Sequence, residues 1–305
     1  MPVSTCGPPP APSEHARDFP RHRRTPAILR RPAGSTSARR LKIVRGMAAA
    51  AVAVAVAAGM VTVPGGAVPA TGLPAGTGPA VAGQRLPLDG RVVALDPGHQ
   101  LGNARFPARV NERVWVGLWK PCNTVGAATA NGFPEATMAW RVTRRLQARL
   151  EAMGARVRLT RTTNSTADWG PCVDDRGRFG GHVGADLMVS VHGDGADRST
   201  RGFFVIRPGL RAGYTDDIVG SSALLSRRVR AGLLGVGLRA STAYGGDGLD
   251  TRRDLGTLNM SDVATVLVEL GNMRNPADAR CMTSAQCRDR YARGLAAGVR
   301  GFLTR

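Results

Sequence analysis

Lysine is almost missing from this 305-residue chain: only Lys42 and Lys120 occur, so the formal net charge of +20 is carried by arginine. An excess of basic over acidic residues (42 against 22) excludes a strongly acidic disordered protein. The lack of Lys-rich stripes, and of any recognisable nucleic-acid-binding motif, argues against a nucleic-acid partner. No Cys-x-x-Cys pair occurs among the five cysteines, which argues against a zinc site made of four thiolates. No internal repeat is visible. Residues 47–82 carry no charge at all.

The charge that is present is unevenly spread. Residues 1–46 hold ten Arg/Lys against Glu14 and Asp18, with Pro, Ser and Thr and no apolar periodicity. They read as a disordered basic leader. The run Arg39–Arg45 then precedes an Ala/Val stretch from Met47 to Val63, and small residues follow. Basic flank, apolar stretch and small-residue cleavage site make the layout of a secretory signal peptide, placed over 47–70. A retained membrane anchor is the competing reading, but about 17 Ala-rich residues sit at the lower edge of what spans a bilayer. Residues 71–88 are Pro/Gly-rich and read as a linker. Residues 89–305 are then one folded domain, long enough for a sizeable core, and the remaining +12 lies over residues 83–305.

Four cysteines in an exported domain suggest two disulfides. Of the three possible pairings, a short local Cys281–Cys287 loop leaves Cys122 with Cys172.

Strand and helix signals alternate along the domain. Arg91–Leu95 is a short apolar run ending at Asp96-Pro97-Gly98, a buried strand followed by a turn. Pro134 suits the first position of a helix in which Met138, Val142, Leu146, Leu150 and Met153 recur until Gly154. Strands are expected at 156–159, 186–191, 202–206 and 263–268. Further helices are expected at 174–184, 217–234 and around Tyr291–Phe302. Such alternation makes an α/β sheet covered by helices on both faces.

In such sheets ligands bind beyond the carboxyl ends of strands. The ionisable residues there are Asp96 and His99, His192 and Asp194, and Glu269; Glu135 opens the helix after Pro134. Only three histidines lie in the folded part, and His99 and His192 both occupy strand ends. His99, Glu135 and His192 make a two-His, one-carboxylate zinc set with an open position for water, and Glu269 could serve as general base. Taken singly, each residue could equally be a loop, cap or surface group. Glu269 stands out because it ends a strongly apolar strand. His182, on a weak helix, reads as packing rather than ligand.

Four blocks of sequence together resemble the zinc-dependent N-acetylmuramoyl-L-alanine amidases of the amidase-3 type. They are Val92–His99 with its Asp-Pro-Gly-His turn; Glu135 and its helix through Gly154–Arg161; Arg176 with Ala185–His192; and Val266–Asn275 containing Glu269. The resemblance spans roughly 91–303 in the right order. It implies a mixed, mostly parallel sheet of about six strands flanked by helices on both faces. It implies zinc held by His99, Glu135 and His192, with Glu269 as the catalytic carboxylate. The implied reaction is hydrolysis of the amide between N-acetylmuramic acid and L-alanine in peptidoglycan. A non-catalytic wall-binding protein on the same scaffold, or another zinc hydrolase of peptidoglycan, are the alternatives. The expected partners are peptidoglycan or muropeptides and no nucleic acid, with transient membrane contact through the signal segment. The expected product is a secreted, wall-associated monomer.

Two departures from the family stand out. Gly193-Asp194 follows His192 where the family usually has Ala-Asn; Asp194 could bond a ligand ring nitrogen or simply turn the chain. The segment between His99 and Glu135 is enlarged and carries Trp115, Trp119 and Cys122. It could line a glycan cleft, but the role expected of it is to cover an edge of the sheet.

Overall fold

The computed structural model describes residues 85–304. The leader, the signal-peptide region and all but the last four residues of the linker lie outside the described residues. The elements, in order, are β1 (Val92–Pro97), α1 (Pro107–Val110), β2 (Arg113–Trp115), β3 (Trp119–Pro121), α2 (Glu135–Glu151), β4 (Arg156–Leu159), α3 (Val173–His182) and β5 (Leu187–Asp194). There follow β6 (Phe204–Pro208), α4 (Val219–Gly235), β7 (Leu249–Arg252), α5 (Gly256–Asn259), β8 (Ala264–Asn272), α6 (Pro276–Thr283) and α7 (Ala285–Leu303).

Six strands form one sheet in the order β4-β1-β5-β8-β6-β7, and β2 pairs with β3 in a separate ribbon. β4, β1, β5 and β8 run parallel; β6 is antiparallel to β8 and parallel to β7. The sheet is mixed and mostly parallel, and helices cover both faces. Along β1, Val93 and Leu95 point into a large core with Met138, Val142 and Leu146 of α2, Leu225 and Val229 of α4, and Leu295 and Val299 of α7. Val92 and Ala94 point the other way, against Met188 and Phe179 of α3. This two-sided burial is why the strands read as unbroken apolar runs.

Several boundaries differ from the sequence expectation. Leu88, placed at the end of the linker, is fully buried and donates its N–H to the Met153 carbonyl at 2.8 Å, so the core begins one residue earlier. Pro134 caps α2 with extended backbone rather than opening it. β5 and β8 run further than their apolar stretches, to Asp194 and Asn272. His192 and Glu269 therefore stand within strands, as register partners across β5 and β8. His182 is exposed at the last position of α3, outside the core. Both expected disulfides are present, Cys122–Cys172 and Cys281–Cys287.

Candidate active site

β1, β5 and β8 end side by side, and the first turn of α2 meets them there. His99, Glu135 and His192 bring one ligand atom each within 4.8 Å of the others. Glu135 Oε1 lies 3.0 Å from His99 Nε2 and 2.9 Å from His192 Nδ1. The two imidazole rings meet edge-on, with centroids 4.8 Å apart.

Glu135 is the fixed point of this group. As the first residue of α2 it benefits from the positive end of the helix dipole. Its Oε2 accepts the Ala127 N–H at 2.7 Å and its Oε1 the Gly193 N–H at 3.1 Å. Burial opposes its ionisation, but the charge of His99 and the bonds from both histidines prevail, holding the carboxyl well below the usual range.

The donor set fits a divalent metal. His99 Nδ1 lies 3.0 Å from the Thr124 carbonyl oxygen, which can only accept, so Nδ1 carries the ring proton. In the neutral ring Nε2 is then a bare lone pair facing a carboxylate oxygen. Two such acceptors attract only if the ring takes a second proton or a cation lies between them. Two imidazoles and one carboxylate are the ligand types zinc prefers in hydrolytic sites.

The turn carrying His99 is clamped. His99 has φ +55°, an unfavourable value for a non-glycine residue. Asp96 is fully buried and accepts from Arg176 Nη1 at 2.5 Å, Thr160 Oγ1 at 2.5 Å and Ser190 Oγ at 2.6 Å. Burial would raise its pKa, yet Arg176 and His192 and the two hydroxyl bonds draw it down to about 2. Arg176 also donates to the carbonyls of Pro97 and His99 at 2.9 and 2.8 Å. Arg161 donates to those of Pro97, Gly98 and Ala136. Two buried guanidinium groups thus fix the strained turn and tie it to α2. Asp96, a strand-end carboxylate, belongs to this clamp and not to the ligand group. Gly98 is required for close approach: a Cβ there would collide with the His192 ring.

A cavity of about 770 Å³ opens over the ligand group. Glu269 lines it, and its buried Oε2 has no hydrogen-bond partner among the described residues. Burial, then the charges of Glu135 and Asp194, push its carboxyl well above the usual range, with Arg252 opposing. Phe204 pairs with Glu269 across β6 and β8 and stacks on Tyr244 at 4.3 Å. Asp194 bonds the N–H of Ala196 at 3.2 Å and meets the Tyr244 hydroxyl at 3.5 Å. It turns the chain and bonds neither ligand ring.

The C-terminal part of the enlarged segment before Glu135 is a wall of the site. Residues 120–121 and 123–127 line the cavity, and Thr124 fixes the His99 ring. Gly126, at φ +85°, passes so close that a Cβ would press on His99 and Glu135. Sequence reasoning did not single out Lys120, Tyr244, Arg252 or Arg274 on the cavity wall. A second group, Cys172 with Asp174 and Asp175, is no thiolate site because Cys172 is in a disulfide.

The profile of a family described as N-acetylmuramoyl-L-alanine amidase matches residues 93–301. A Mycobacterium tuberculosis protein named N-acetylmuramoyl-L-alanine amidase Rv3717 is 39% identical over 220 residues, 71% of this chain and 88% of its own length. The crystal structure of the amidase Ami1 from Mycobacterium smegmatis superposes with a TM-score of 0.66 at 34% identity, covering 71% of this chain and 98% of that one. The apo form of Ami1 from Mycobacterium abscessus gives the same score and identity over 70% and 99%.

Proposed function

This chain belongs to the N-acetylmuramoyl-L-alanine amidases of the amidase-3 family, and from that premise we propose which of its residues carry the hydrolysis. The enzyme cleaves the amide joining the lactyl group of N-acetylmuramic acid to L-alanine in peptidoglycan. His99, Glu135 and His192 would hold one zinc ion. The observation that carries this reading is a single buried carboxylate oxygen faced by two imidazole nitrogens at 3.0 and 2.9 Å, one of them on a ring already committed to a carbonyl.

Zinc bound by these residues would supply Lewis acidity for the hydrolysis. The other steps belong to the protein. Glu269 Oε2 takes the proton from the water as it attacks and returns it to the nitrogen of the departing L-alanine. A carboxyl whose pKa is raised by burial suits a group that must both accept and donate near neutral pH. Thr124 holds the His99 ring in one tautomer, and the Arg176 clamp fixes its backbone.

Action outside the cytoplasm follows from the substrate. The basic leader, signal peptide over 47–70 and linker to 88 are the proposed export apparatus, and N-terminal sequencing of the secreted form tests it. For the chemistry, purified enzyme is expected to contain about one zinc per chain. Mass spectrometry of digested peptidoglycan is expected to show peptides with free N-terminal L-alanine. Glu269→Ala should retain the metal and lose about 10²–10⁴-fold in rate. A cut at a peptide–peptide bond, or an untouched muramoyl amide, sinks the assignment.

A further inference from the structure

We propose that Trp115 and Trp119 form a carbohydrate-binding platform at the rim of the active-site cavity, and that its occupant is the glycan strand of peptidoglycan, a β-linked polymer of N-acetylated hexosamines. The inference rests on the peptidoglycan reading above and adds a site for the part of the substrate that is not cut.

The β2–β3 ribbon has two unlike faces. Arg113 pairs with Pro121 and Trp115 with Trp119, so these four side chains share one face, and all four are exposed. The indoles are 48% and 57% exposed and stand edge to face, with centroids 5.3 Å apart. At the tip, the residue after Trp115, the smaller Val116, is fully buried. Apolar burial alone would favour the opposite choice, since an indole gains more from leaving water than an isopropyl group. The tryptophans are therefore held out where a ligand can reach them.

They are also held still. The Val116 carbonyl accepts from Asn259 Nδ2 at 2.9 Å, and the Gly117 carbonyl accepts from the Arg211 guanidinium. The Cys122–Cys172 disulfide fastens the base of the ribbon. Trp115 Nε1 donates to the Tyr214 hydroxyl at 2.8 Å, which fixes the plane of its ring. A rigid aromatic surface binds at little entropic cost.

Position and surroundings favour a sugar chain. Lys120 and Pro121 of the same ribbon line the catalytic cavity, so the ribbon borders the space a bound polymer would occupy. Tyr214, on the far side of Trp115, borders a groove of about 320 Å³ lined also by Arg178, Asn259 and Asp262. A β-linked hexosamine chain presents apolar C–H faces that stack on indoles, and hydroxyl and acetamido edges that need donors and acceptors beside them. The ribbon and groove supply both. A membrane would require a broader apolar face than two indoles set among Arg113, Lys120 and Arg211.

The test uses the full-length enzyme carrying Glu269→Gln to prevent turnover. A peptide-free tetramer of β-1,4-linked N-acetylglucosamine is the probe, read by intrinsic tryptophan fluorescence. Saturable binding is expected, lost in W115A/W119A. Retention on purified sacculi is expected to weaken about tenfold in that variant, the factor that loss of stacked aromatic contacts predicts. W119A alone leaves the Trp115–Tyr214 bond intact and should weaken both readouts in the same direction, which guards against misfolding of the double variant. In the active enzyme, the ratio of cleavage on sacculi to cleavage of a single muramoyl-peptide should fall likewise. Unchanged tetramer binding and sacculus retention in both variants would overturn the platform. So would tryptophan-dependent binding to phosphatidylglycerol vesicles without any to the tetramer. Because the tetramer contains no muramoyl amide, its binding persists if only the assigned chemistry is wrong.

Discussion

Glu135 is both a proposed ligand and the organiser of its neighbours. Its carboxylate faces two histidines and accepts two backbone N–H groups, from Ala127 and Gly193. Glu135→Gln keeps the shape, but its amide nitrogen sets a donor against one of the two N–H groups, and it removes the charge that balances a cation. Metal content of the purified variant is expected to fall from about one zinc to well below that, read by atomic emission. Gly98→Ala acts on the same centre from outside, because the added methyl would displace the His192 ring. Its zinc affinity is expected to drop about 10–100-fold in a chelator competition, the loss typical when a ligand's support is disturbed. His99, His192 and Glu269 were legible because histidines are scarce and these residues follow apolar strand runs. Tyr244 and Arg252 were not. They sit in Gly- and Asp-rich sequence without periodicity, and only the pairing of β7 on β6 brings them to the cavity.

At the scale of elements, the buried Asp96–Arg176 pair joins β1 to α3 and carries a pH signature. The Asp96 carboxyl is lowered to about 2 in the folded protein, below its value in an unfolded chain. Its contribution is therefore fully present above about pH 4 and is lost as pH falls towards 2, amounting to about 2.5 kcal/mol. Asp96→Asn should destabilise the protein at neutral pH by about 3–5 kcal/mol, because it leaves the Arg176 charge buried and unpaired. It should also flatten the acid limb of a Tm-against-pH curve, and an acid limb that keeps its wild-type steepness refutes the assignment. The main strands and helices could be read because each is an apolar run or a helical stripe bounded by Gly or Pro. The β2–β3 ribbon and β7 could not. Three or four residues, half of them polar, carry no period of their own, and tertiary pairing decides them. The ribbon's other fastening was visible as a cysteine count. Cys122–Cys172 closes a loop of 50 residues, worth about 4 kcal/mol on chain-entropy grounds. Cys122 abuts the segment that lines the site, so C122S/C172S should lose activity as well as Tm.

For the whole molecule, the net charge of +20 divides into +8 over residues 1–46 and +12 over residues 83–305, and the peptidoglycan substrate carries free carboxylates on its stem peptides. The +12 over residues 83–305, with Lys120, Arg252 and Arg274 on the cavity wall, predicts attraction that salt screens. The indoles of Trp115 and Trp119 predict attraction that salt leaves alone, since stacking on a neutral sugar involves no counterion. The two contributions should therefore separate in one experiment. Retention of the wild-type enzyme on sacculi should fall between about 0.05 and 0.5 M NaCl, as the Debye length shrinks from roughly 14 to 4 Å, and then level off above zero. In W115A/W119A the fall should continue with no plateau, because only the screened part remains. If the plateau is the same in both proteins, charge and the catalytic cleft alone hold this enzyme to its substrate.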